Sequence, residues 1–254
     1  MGIKAELEII TPNWPAPDNI HAYSSTRLSG ESQGVYAGLN LAQHVGDDPQ
    51  IIAQNRHQLS VALGLPNEPF WLNQVHQTSA LNTSIQQNGV VQGVAPNADA
   101  SFSLQANRVC AVMTADCLPV LICNSRGNKV AAVHAGWRGL AEGVIENAIA
   151  ALNERPGQLL AWLGPAIGPQ AFEVGEEVRS VFVGKFAAAD SAFIANRPGH
   201  YLADIYQLAR LVLSNIGVKA IYGGEFCTFN DAKHFYSFRR DGTTGRQASL
   251  IWFS

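Results

Sequence analysis

Three residues carry side chains that bind metals or act as nucleophile and base, namely His76, Cys117 and His134. Each lies at an end of a short apolar run, a pattern typical of buried strands. Two imidazoles and a thiolate are zinc ligands, and three protein ligands leave a fourth position for water or substrate. Cys117 and His134 also suit a cysteine nucleophile with its histidine base. A core thiol and two ordinary polar histidines are the third interpretation, and the spacing leaves all three open.

A predicted β-hairpin brings two of these residues together. Apolar runs at residues 118–123 and 129–133 flank a cluster of turn formers. A turn centred on the middle of that cluster places Leu118 opposite His134. Directly opposed residues have Cβ atoms about 4.5–5.5 Å apart. The sequence therefore predicts that Cys117 and His134 are neighbours at one end of a sheet, where a strand runs into a helix.

Two carboxylates accompany this pair. Asp116 directly precedes Cys117, and Asp99 lies in a short Asn-Ala-Asp-Ala segment. Either carboxylate is suited to orienting a histidine or to acid–base chemistry. We predict a catalytic group of Asp116, Cys117 and His134, whereas a turn or cap role is the favoured interpretation of Asp99.

Further polar residues are predicted to contact substrate. Asn73 and Gln74 lie beside His76 at the end of a predicted strand. Arg138 lies near the start of a predicted helix, where free backbone N–H groups and an arginine together favour an anion.

The C-terminal arginines are predicted to surround the turn of a hairpin formed by residues 235–253. Around a turn centred at Thr243, Arg240 pairs with Arg246, and like charges directly opposed on paired strands repel. A bound anion would relieve that repulsion, so Arg240 and Arg246 are predicted to bind phosphate or another polar part of a substrate. Arg239, which points to the other face, is predicted to be structural. A solvated hairpin tip is the alternative.

Strands and helices are interspersed along the chain, which predicts a mixed α+β class. The clearest helix start is Asp48 as N-cap before Pro49, with Gly64 past the helix end. Without a linker or low-complexity segment, residues 1–254 are expected to form a single domain. Further strands are predicted at residues 20–26, 70–75, 159–163 and 218–222, and helices at residues 140–152, 174–186 and 201–216.

Composition excludes several classes of protein. The chain has 254 residues, 47% of them hydrophobic, and a formal net charge of −3 without a basic block. Neither nucleic acid nor a membrane is therefore an expected partner. Without a signal-peptide pattern or a long apolar run, a cytoplasmic protein is expected, and its four cysteines are expected to be thiols.

Familiar signatures of other enzymes are missing from the sequence. It has neither a Walker loop nor a G-x-G-x-x-G motif, and the zinc-deaminase pattern of H-x-E with P-C-x-x-C is absent. The lack of an H-x-H pair and the two methionines argue against a conventional copper oxidase.

Several motifs, in order along nearly the whole chain, identify a resemblance. The most specific are TADCLPVL at 114–121 and HAGWRGL at 134–140, and they are joined by NLAQHVGDDP, NQVHQ, ADA, GPAIGP and FYSFRRDGTTGRQAS. The chain resembles the YfiH family, laccase-domain proteins also described as purine nucleoside phosphorylases with adenosine deaminase activity. The resemblance implies zinc ligation by His76, Cys117 and His134. It also implies a layered α/β/β/α fold with mixed sheets, related to cysteine hydrolases of the cytotoxic-necrotizing-factor type.

The resemblance implies a function as well. Expected substrates are adenosine, inosine, guanosine and methylthioadenosine, with phosphate as second substrate. The expected cofactor is zinc, with copper as the alternative metal. Three other functions stay open: a copper-linked polyphenol oxidase, a cysteine-type hydrolase editing peptidoglycan precursors, and a non-enzymatic, zinc-stabilised binding protein. In the last, Cys227 is the candidate fourth ligand that would close the site. The oligomeric state is not predicted.

Overall fold

Strands provide most of the regular structure around the predicted site. The computed structural model describes residues 7–83 and 95–254. Its strands are β1 (Ile9–Ile10), β2 (Ile20–Ser25), β3 (Ala80–Asn82), β4 (Ala100–Ser103), β5 (Cys110–Thr114), β6 (Leu118–Asn124), β7 (Val130–Ala135), β8 (Leu159–Leu163), β9 (Glu173–Gly175), β10 (Phe193–Arg197), β11 (His200–Ala203), β12 (Ala220–Gly223) and β13 (Gln247–Phe253). Its α-helices are α1 (Pro49–Leu63), α2 (Trp137–Glu142), α3 (Val144–Leu152), α4 (Glu176–Lys185), α5 (Ile205–Ile216) and α6 (Phe238–Asp241).

The strands form sheets of six, four and three strands. The six-stranded sheet has the order β12-β8-β6-β7-β4-β3 and is mixed, because β12 pairs parallel with β8, and β3 parallel with β4, while the other pairs are antiparallel. The four-stranded sheet, β1-β2-β13-β5, is antiparallel throughout. A small antiparallel sheet, β10-β11-β9, lies apart from both. The predicted mixed α+β class is confirmed.

The central strand β6 is buried on both faces, which explains its continuous apolar sequence. Successive side chains of a strand point to opposite faces. Val120 and Ile122 accordingly pack in the core that α3 and α5 cover, whereas Leu121 packs in the core shared with β5 and β13. On its other face, the four-stranded sheet packs against Leu59 of α1. Two stacked sheets thus lie between helices.

The predicted hairpin is present as β6 and β7, but its register was wrong by one residue. Pro119, rather than Leu118, lies opposite His134. The reason is local, since the Asn124 side chain accepts hydrogen bonds from the backbone N–H groups of Asn128 and Lys129 and shifts the centre of the turn. Both strand ends nevertheless meet at the same edge of the sheet.

The predicted terminal hairpin was wrong. Residues 238–241 form the short helix α6, so Arg240 does not lie opposite Arg246 on a strand. Ser237 caps this helix by accepting from the Arg240 backbone N–H, and Asp116, distant in sequence, accepts from the Arg239 N–H. β13 pairs with β2 and β5 instead of folding back locally.

Other element boundaries differ from the predictions in informative ways. Residues 70–75 form isolated bridges rather than a strand. The predicted helix at 140–152 starts earlier and is divided at Gly143, whose φ of +105° interrupts it. Residues 174–186 and 201–216 each begin as a strand before turning helical. The helix starting at Pro49 is confirmed, with Asp48 as its cap.

No helix in residues 7–83 and 95–254 combines the length and apolar character needed to cross a lipid bilayer.

Candidate metal centre and cavity

The structure brings His76, Cys117 and His134 together. One ligand atom from each residue lies within 4.8 Å of those of the other two. His134 is the second-last residue of β7 and is buried, Cys117 directly precedes β6, and His76 is an exposed residue of the loop before β3. His76 has a φ of +58°, a left-handed conformation that histidine tolerates better than most residues. The meeting of two strand ends and one loop therefore creates the centre.

Asp99 holds two of these residues in place. Its fully buried carboxylate accepts a hydrogen bond from His134 Nδ1 at 2.8 Å and from the His76 backbone N–H at 2.9 Å, both on Oδ1. Oδ2 accepts from the backbone N–H groups of Gln77 at 2.7 Å and Val75 at 3.3 Å. His134 thus donates from Nδ1 and presents Nε2 to the centre. The turn role expected for Asp99 is only part of its function, because it also orients a histidine.

The electrostatics of the three residues favour a bound cation. Burial alone would lower the pKa of His134, but the nearby charge of Cys117 and the hydrogen bond to Asp99 raise it to about 9. Burial and the charge of His134 lower the pKa of His76. Burial raises the pKa of Asp99, yet its hydrogen bonds from His134 and Gln77 outweigh that effect and lower it. The buried Asp99 carboxylate therefore favours a positive charge on the His134 ring, whether from a proton or from a bound metal ion.

The backbone at Gly136 leaves room for an ion in this centre. A Cβ atom at Gly136 would lie 2.9 Å from His76 Nδ1 and 3.1 Å from Cys117 Sγ, closer than ordinary contacts allow. Glycine therefore keeps the space beside both ligand atoms clear. Two imidazoles and a thiolate around such a space fit the donor set of an open, tetrahedral zinc site.

Cys227 does not close the centre. Its Sγ accepts a hydrogen bond from the Gly168 N–H at 3.2 Å, and it is not one of the three clustered ligands among residues 7–83 and 95–254. A structural zinc site would normally have four protein ligands. The fourth position here faces a cavity instead.

That cavity has two adjoining lobes, which share His76, Ala115, Cys117, Arg138 and Phe238 in their walls. The first, about 280 Å³, is called the apolar lobe, and its other walls are Asp116, Trp137, Ile167, Phe172, Ile205 and Arg239. The second, about 320 Å³, is called the polar lobe, and its other walls are His44, Gln74, Met113, Thr114, His134 and Arg246. Of the three clustered residues, His76 and Cys117 therefore lie where the lobes join, and His134 lines the polar lobe.

Aromatic rings and arginines alternate around the apolar lobe. The Arg138 guanidinium lies 4.4 Å from the Trp137 ring centre, and that of Arg239 lies 5.7 Å from the Phe172 ring centre. Phe238 is 58% exposed at the mouth of the lobe. Such walls suit a flat heterocycle with polar edges.

Asp116, predicted to be catalytic, lines the apolar lobe and positions α6. Its Oδ1 accepts from Thr228 Oγ1 at 2.6 Å, and its Oδ2 accepts from the Arg239 backbone N–H at 2.6 Å. Its φ of +97° is unusual for a residue with a side chain and turns the chain sharply before Cys117. The structure therefore supports a positioning role for Asp116 within the wall of the apolar lobe.

The two predicted amide contacts differ in position. Gln74 lines the polar lobe, but its amide is fully engaged with the backbone N–H and C=O of Met113, both at 2.7 Å. Asn73 donates to Asn97 Oδ1 at 2.6 Å and lies outside both lobes.

Of the three C-terminal arginines, Arg246 lines the cavity as predicted, whereas Arg239 and Arg240 have exchanged their expected positions. Arg240 lies outside both lobes and donates to the backbone carbonyls of Thr228, Phe229 and Phe235. Arg239, expected to be structural, lines the apolar lobe, and Arg246 lines the polar lobe. The helix α6 explains this exchange, because it turns Arg239 rather than Arg240 toward the cavity.

Several residues of the cavity were missed from the sequence, among them His44, Thr114, Trp137, Phe172 and Phe238. They carried no signal by spacing, although all but Phe172 lie inside the family motifs. Burial and the positive charges of Arg246 and Arg56 lower the pKa of His44, which indicates a positive potential in the polar lobe.

Comparison with known proteins gives this site a family context. Residues 21–254 match the family described as multi-copper polyphenol oxidoreductase laccase. The purine nucleoside phosphorylase YfiH of Escherichia coli K12 is 51% identical over 245 residues, covering 96% of this chain and 98% of that protein. The chain belongs to the YfiH family. A purine nucleoside phosphorylase of Pseudomonas aeruginosa is 48% identical, over 96% of this chain and 97% of its own length.

Solved structures share the architecture. A Neisseria meningitidis protein superposes with a TM-score of 0.91 at 46% identity, covering 98% of this chain and 100% of its own. YlmD of Geobacillus stearothermophilus superposes with a TM-score of 0.87 at 30% identity, covering 93% and 92%. The mixed α+β fold described above is therefore the fold of this family.

Proposed function

We propose that this YfiH-family chain is a metal-dependent purine nucleoside phosphorylase. The observation that carries the proposal is the two-lobed cavity whose lobes join at His76 and Cys117, with His134 beside them in the polar lobe. The names of its close relatives support the same activity. In the reaction, a phosphate oxygen forms a bond to the ribose C1′, the bond from C1′ to the purine nitrogen breaks, and ribose 1-phosphate and a free purine result.

Zinc is the proposed cofactor, held by His76, Cys117 and His134. When bound, it would act as a Lewis acid and lower the pKa of coordinated water. Two histidines and a cysteine are also the ligands of blue-copper centres, so copper is the second candidate. Elemental analysis, with an absorption spectrum of the copper-loaded protein, distinguishes them.

The apolar lobe is the proposed nucleoside pocket. Trp137, Phe172 and Phe238 offer ring faces against which a purine can pack. The guanidinium groups of Arg138 and Arg239 lie over one face of the Trp137 and Phe172 rings, and their N–H groups can reach the base or the ribose of a nucleoside in this lobe. Such walls discriminate weakly between a 6-amino and a 6-oxo group and tolerate an apolar 5′ substituent. We therefore propose adenosine, inosine, guanosine and methylthioadenosine as substrates.

Adenosine deamination is a proposed second activity. It rests on His76 and Cys117, which line the proposed nucleoside pocket, so that water beside these two residues would lie next to the base. The test is release of inosine and ammonia from adenosine in phosphate-free buffer.

Cysteine-type hydrolysis is a distinct alternative, and one observation favours it. Cys117, His134 and Asp99 are arranged as nucleophile, base and orienting carboxylate, with His134 Nδ1 donating to Asp99 at 2.8 Å. A metal ion and this triad would compete for Cys117. Chelation should abolish a metal-dependent phosphorylase and leave a triad hydrolase active. Polyphenol oxidation is less well supported, because the described residues hold a single cluster of three ligands.

The deciding experiment is incubation of the purified protein with inosine. Hypoxanthine and ribose 1-phosphate should form in equal amounts, and only when phosphate is present. Equal release of hypoxanthine without phosphate would replace phosphorolysis with hydrolysis.

A further inference from the structure

The polar lobe gathers positive charge without a carboxylate in its wall. Arg246 and Arg138 line it together with the imidazole of His44, and none of its described lining residues is an aspartate or a glutamate. Neither arginine has an ion pair among the described residues. Unpaired cations that face one cavity repel one another, and a bound anion would remove that repulsion.

Arg246 is held so that part of its guanidinium stays available. Nη1 donates to the carbonyls of Thr244 and Gly245 at 2.8 and 2.9 Å, which fixes the head group. Within the described part of the chain, Nη2 and Nε have no protein acceptor at hydrogen-bond distance. A fixed fork with free N–H groups matches the oxygens of a phosphate group.

Thr114 provides an independent sign of a ligand. It is 2% exposed, it lines the polar lobe, and its Oγ1 has no hydrogen-bond partner among residues 7–83 and 95–254. Buried hydroxyl groups are nearly always hydrogen-bonded, because an unpaired one is destabilising. Thr114 lies opposite Gln247, the neighbour of Arg246, where β5 pairs with β13. The unpaired hydroxyl and the arginine therefore meet at the same end of two adjacent strands.

We infer that the polar lobe is a phosphate subsite, in which His44, Thr114 and Arg246 bind inorganic phosphate. This inference rests on the proposed function for the role of the anion as attacking substrate. The lobes join at His76 and Cys117, so phosphate in one lobe would face the ribose of a nucleoside in the other. Arg138, in the wall of both lobes, would contact both substrates.

The variants are chosen to remove one contact each. Thr114→Val keeps the shape and removes only the hydroxyl, and since that hydroxyl has no protein partner, the melting temperature should not fall. Thr244→Val is the matched control, because its Oγ1 is also buried without a partner but the residue does not line the lobe. Arg246→Ala and His44→Asn remove the other two contacts.

The measurement is phosphate affinity of the metal-loaded protein by calorimetry, together with KM values for phosphate and inosine. Thr114→Val should weaken phosphate binding about tenfold, the worth of one hydrogen bond to a charged group, and Arg246→Ala more strongly. His44→Asn should weaken it in the same direction. Thr244→Val should bind phosphate as the wild type does, and the KM for inosine should change less than about twofold in Thr114→Val.

Each contrary result has a definite meaning. Unchanged phosphate affinity in the Thr114, Arg246 and His44 variants overturns the inference, as does a raised inosine KM with unaltered phosphate binding. If AMP displaces phosphate, binds more than tenfold tighter and loses affinity in the same variants, the subsite holds a nucleotide ester instead of free phosphate. If phosphate binds as expected but ribose 1-phosphate never forms, the subsite stands and the proposed phosphorylase activity falls.

Discussion

Replacement of Asp99 by asparagine tests how the centre is held together. The Asp99 carboxylate accepts four hydrogen bonds, two on each oxygen, from one imidazole and three backbone N–H groups. An amide has one acceptor oxygen, and its NH₂ group is a donor. In one orientation, the NH₂ of the substituted side chain faces His134 Nδ1 and the His76 N–H, and in the other it faces the N–H groups of Gln77 and Val75. In either orientation, the NH₂ group of the asparagine therefore faces two other hydrogen-bond donors.

The expected loss of zinc affinity follows from these contacts. If the NH₂ faces His134, the ring can accept at Nδ1 only by moving its proton to Nε2, the nitrogen that faces Cys117. If the NH₂ faces Gln77, the loop that carries His76 loses its anchor. Loss of a partner that orients a metal-ligating histidine typically reduces metal affinity about 10- to 100-fold. That range corresponds to about 1.4–2.7 kcal/mol.

The assay is zinc affinity by competition with a chromophoric chelator, combined with NMR of the His134 ring nitrogens to identify the protonated one. Asp116→Asn is the matched control, because Asp116 is also a buried carboxylate with two hydrogen bonds but none to a ligand residue. Its zinc affinity should change less than about threefold. Wild-type zinc affinity in Asp99→Asn, with the proton still on His134 Nδ1, would refute this reasoning.

Further predictions concern the ligand space, the mouth of the cavity and the C-terminal region. Gly136→Ala should lower zinc content, because its Cβ would lie 2.9 Å from a ligand nitrogen, whereas Gly157→Ala, with open space around it, should retain zinc. Phe238→Ala should raise the KM for inosine several-fold with little change in melting temperature, since the ring is 58% exposed; an unchanged KM would remove it from the nucleoside pocket. Arg240→Ala loses three hydrogen bonds to backbone carbonyls and should destabilise the fold by about 2–4 kcal/mol in urea unfolding, with zinc content unchanged. If Arg240→Ala lowers kcat/KM for inosine while the free energy of unfolding stays at the wild-type value, a structural role for Arg240 is contradicted.

Local sequence patterns predicted that Cys117 and His134 are neighbours, but they left the role of the cluster open, and zinc ligation by all three residues was implied by the family resemblance. His76, Cys117 and His134 stand beside apolar runs, and the β6–β7 hairpin joins residues close in sequence, so its turn signals were enough. Its register was wrong by one residue because the Asn124 side chain remodels the turn. A hydrogen bond of a single side chain within a turn is not visible in apolar periodicity.

Contacts between residues distant in sequence explain what could not be predicted. The first turn of α6 is held by Asp116, more than 100 residues earlier, which accepts a hydrogen bond from the Arg239 backbone N–H, and no local pattern around Arg240 indicates that contact. The sequence predicted a turn role for Asp99, and its carboxylate does accept from backbone N–H groups of the loop that carries His76. Its hydrogen bond to His134 was not predicted, because it forms only when β4 pairs with β7. His44 reaches the polar lobe from a loop whose position no local pattern indicates.

The central claim is that phosphorolysis depends on a metal held by His76, Cys117 and His134. The most direct measurement is titration of metal-free protein with zinc, or separately with copper, while ribose 1-phosphate formation from inosine and phosphate is followed. The rate should rise in proportion to bound metal and reach a plateau at about one ion per chain, and Cys117→Ser should show neither tight binding nor activity. Full activity of the metal-free protein, or of Cys117→Ser without bound metal, would contradict the claim.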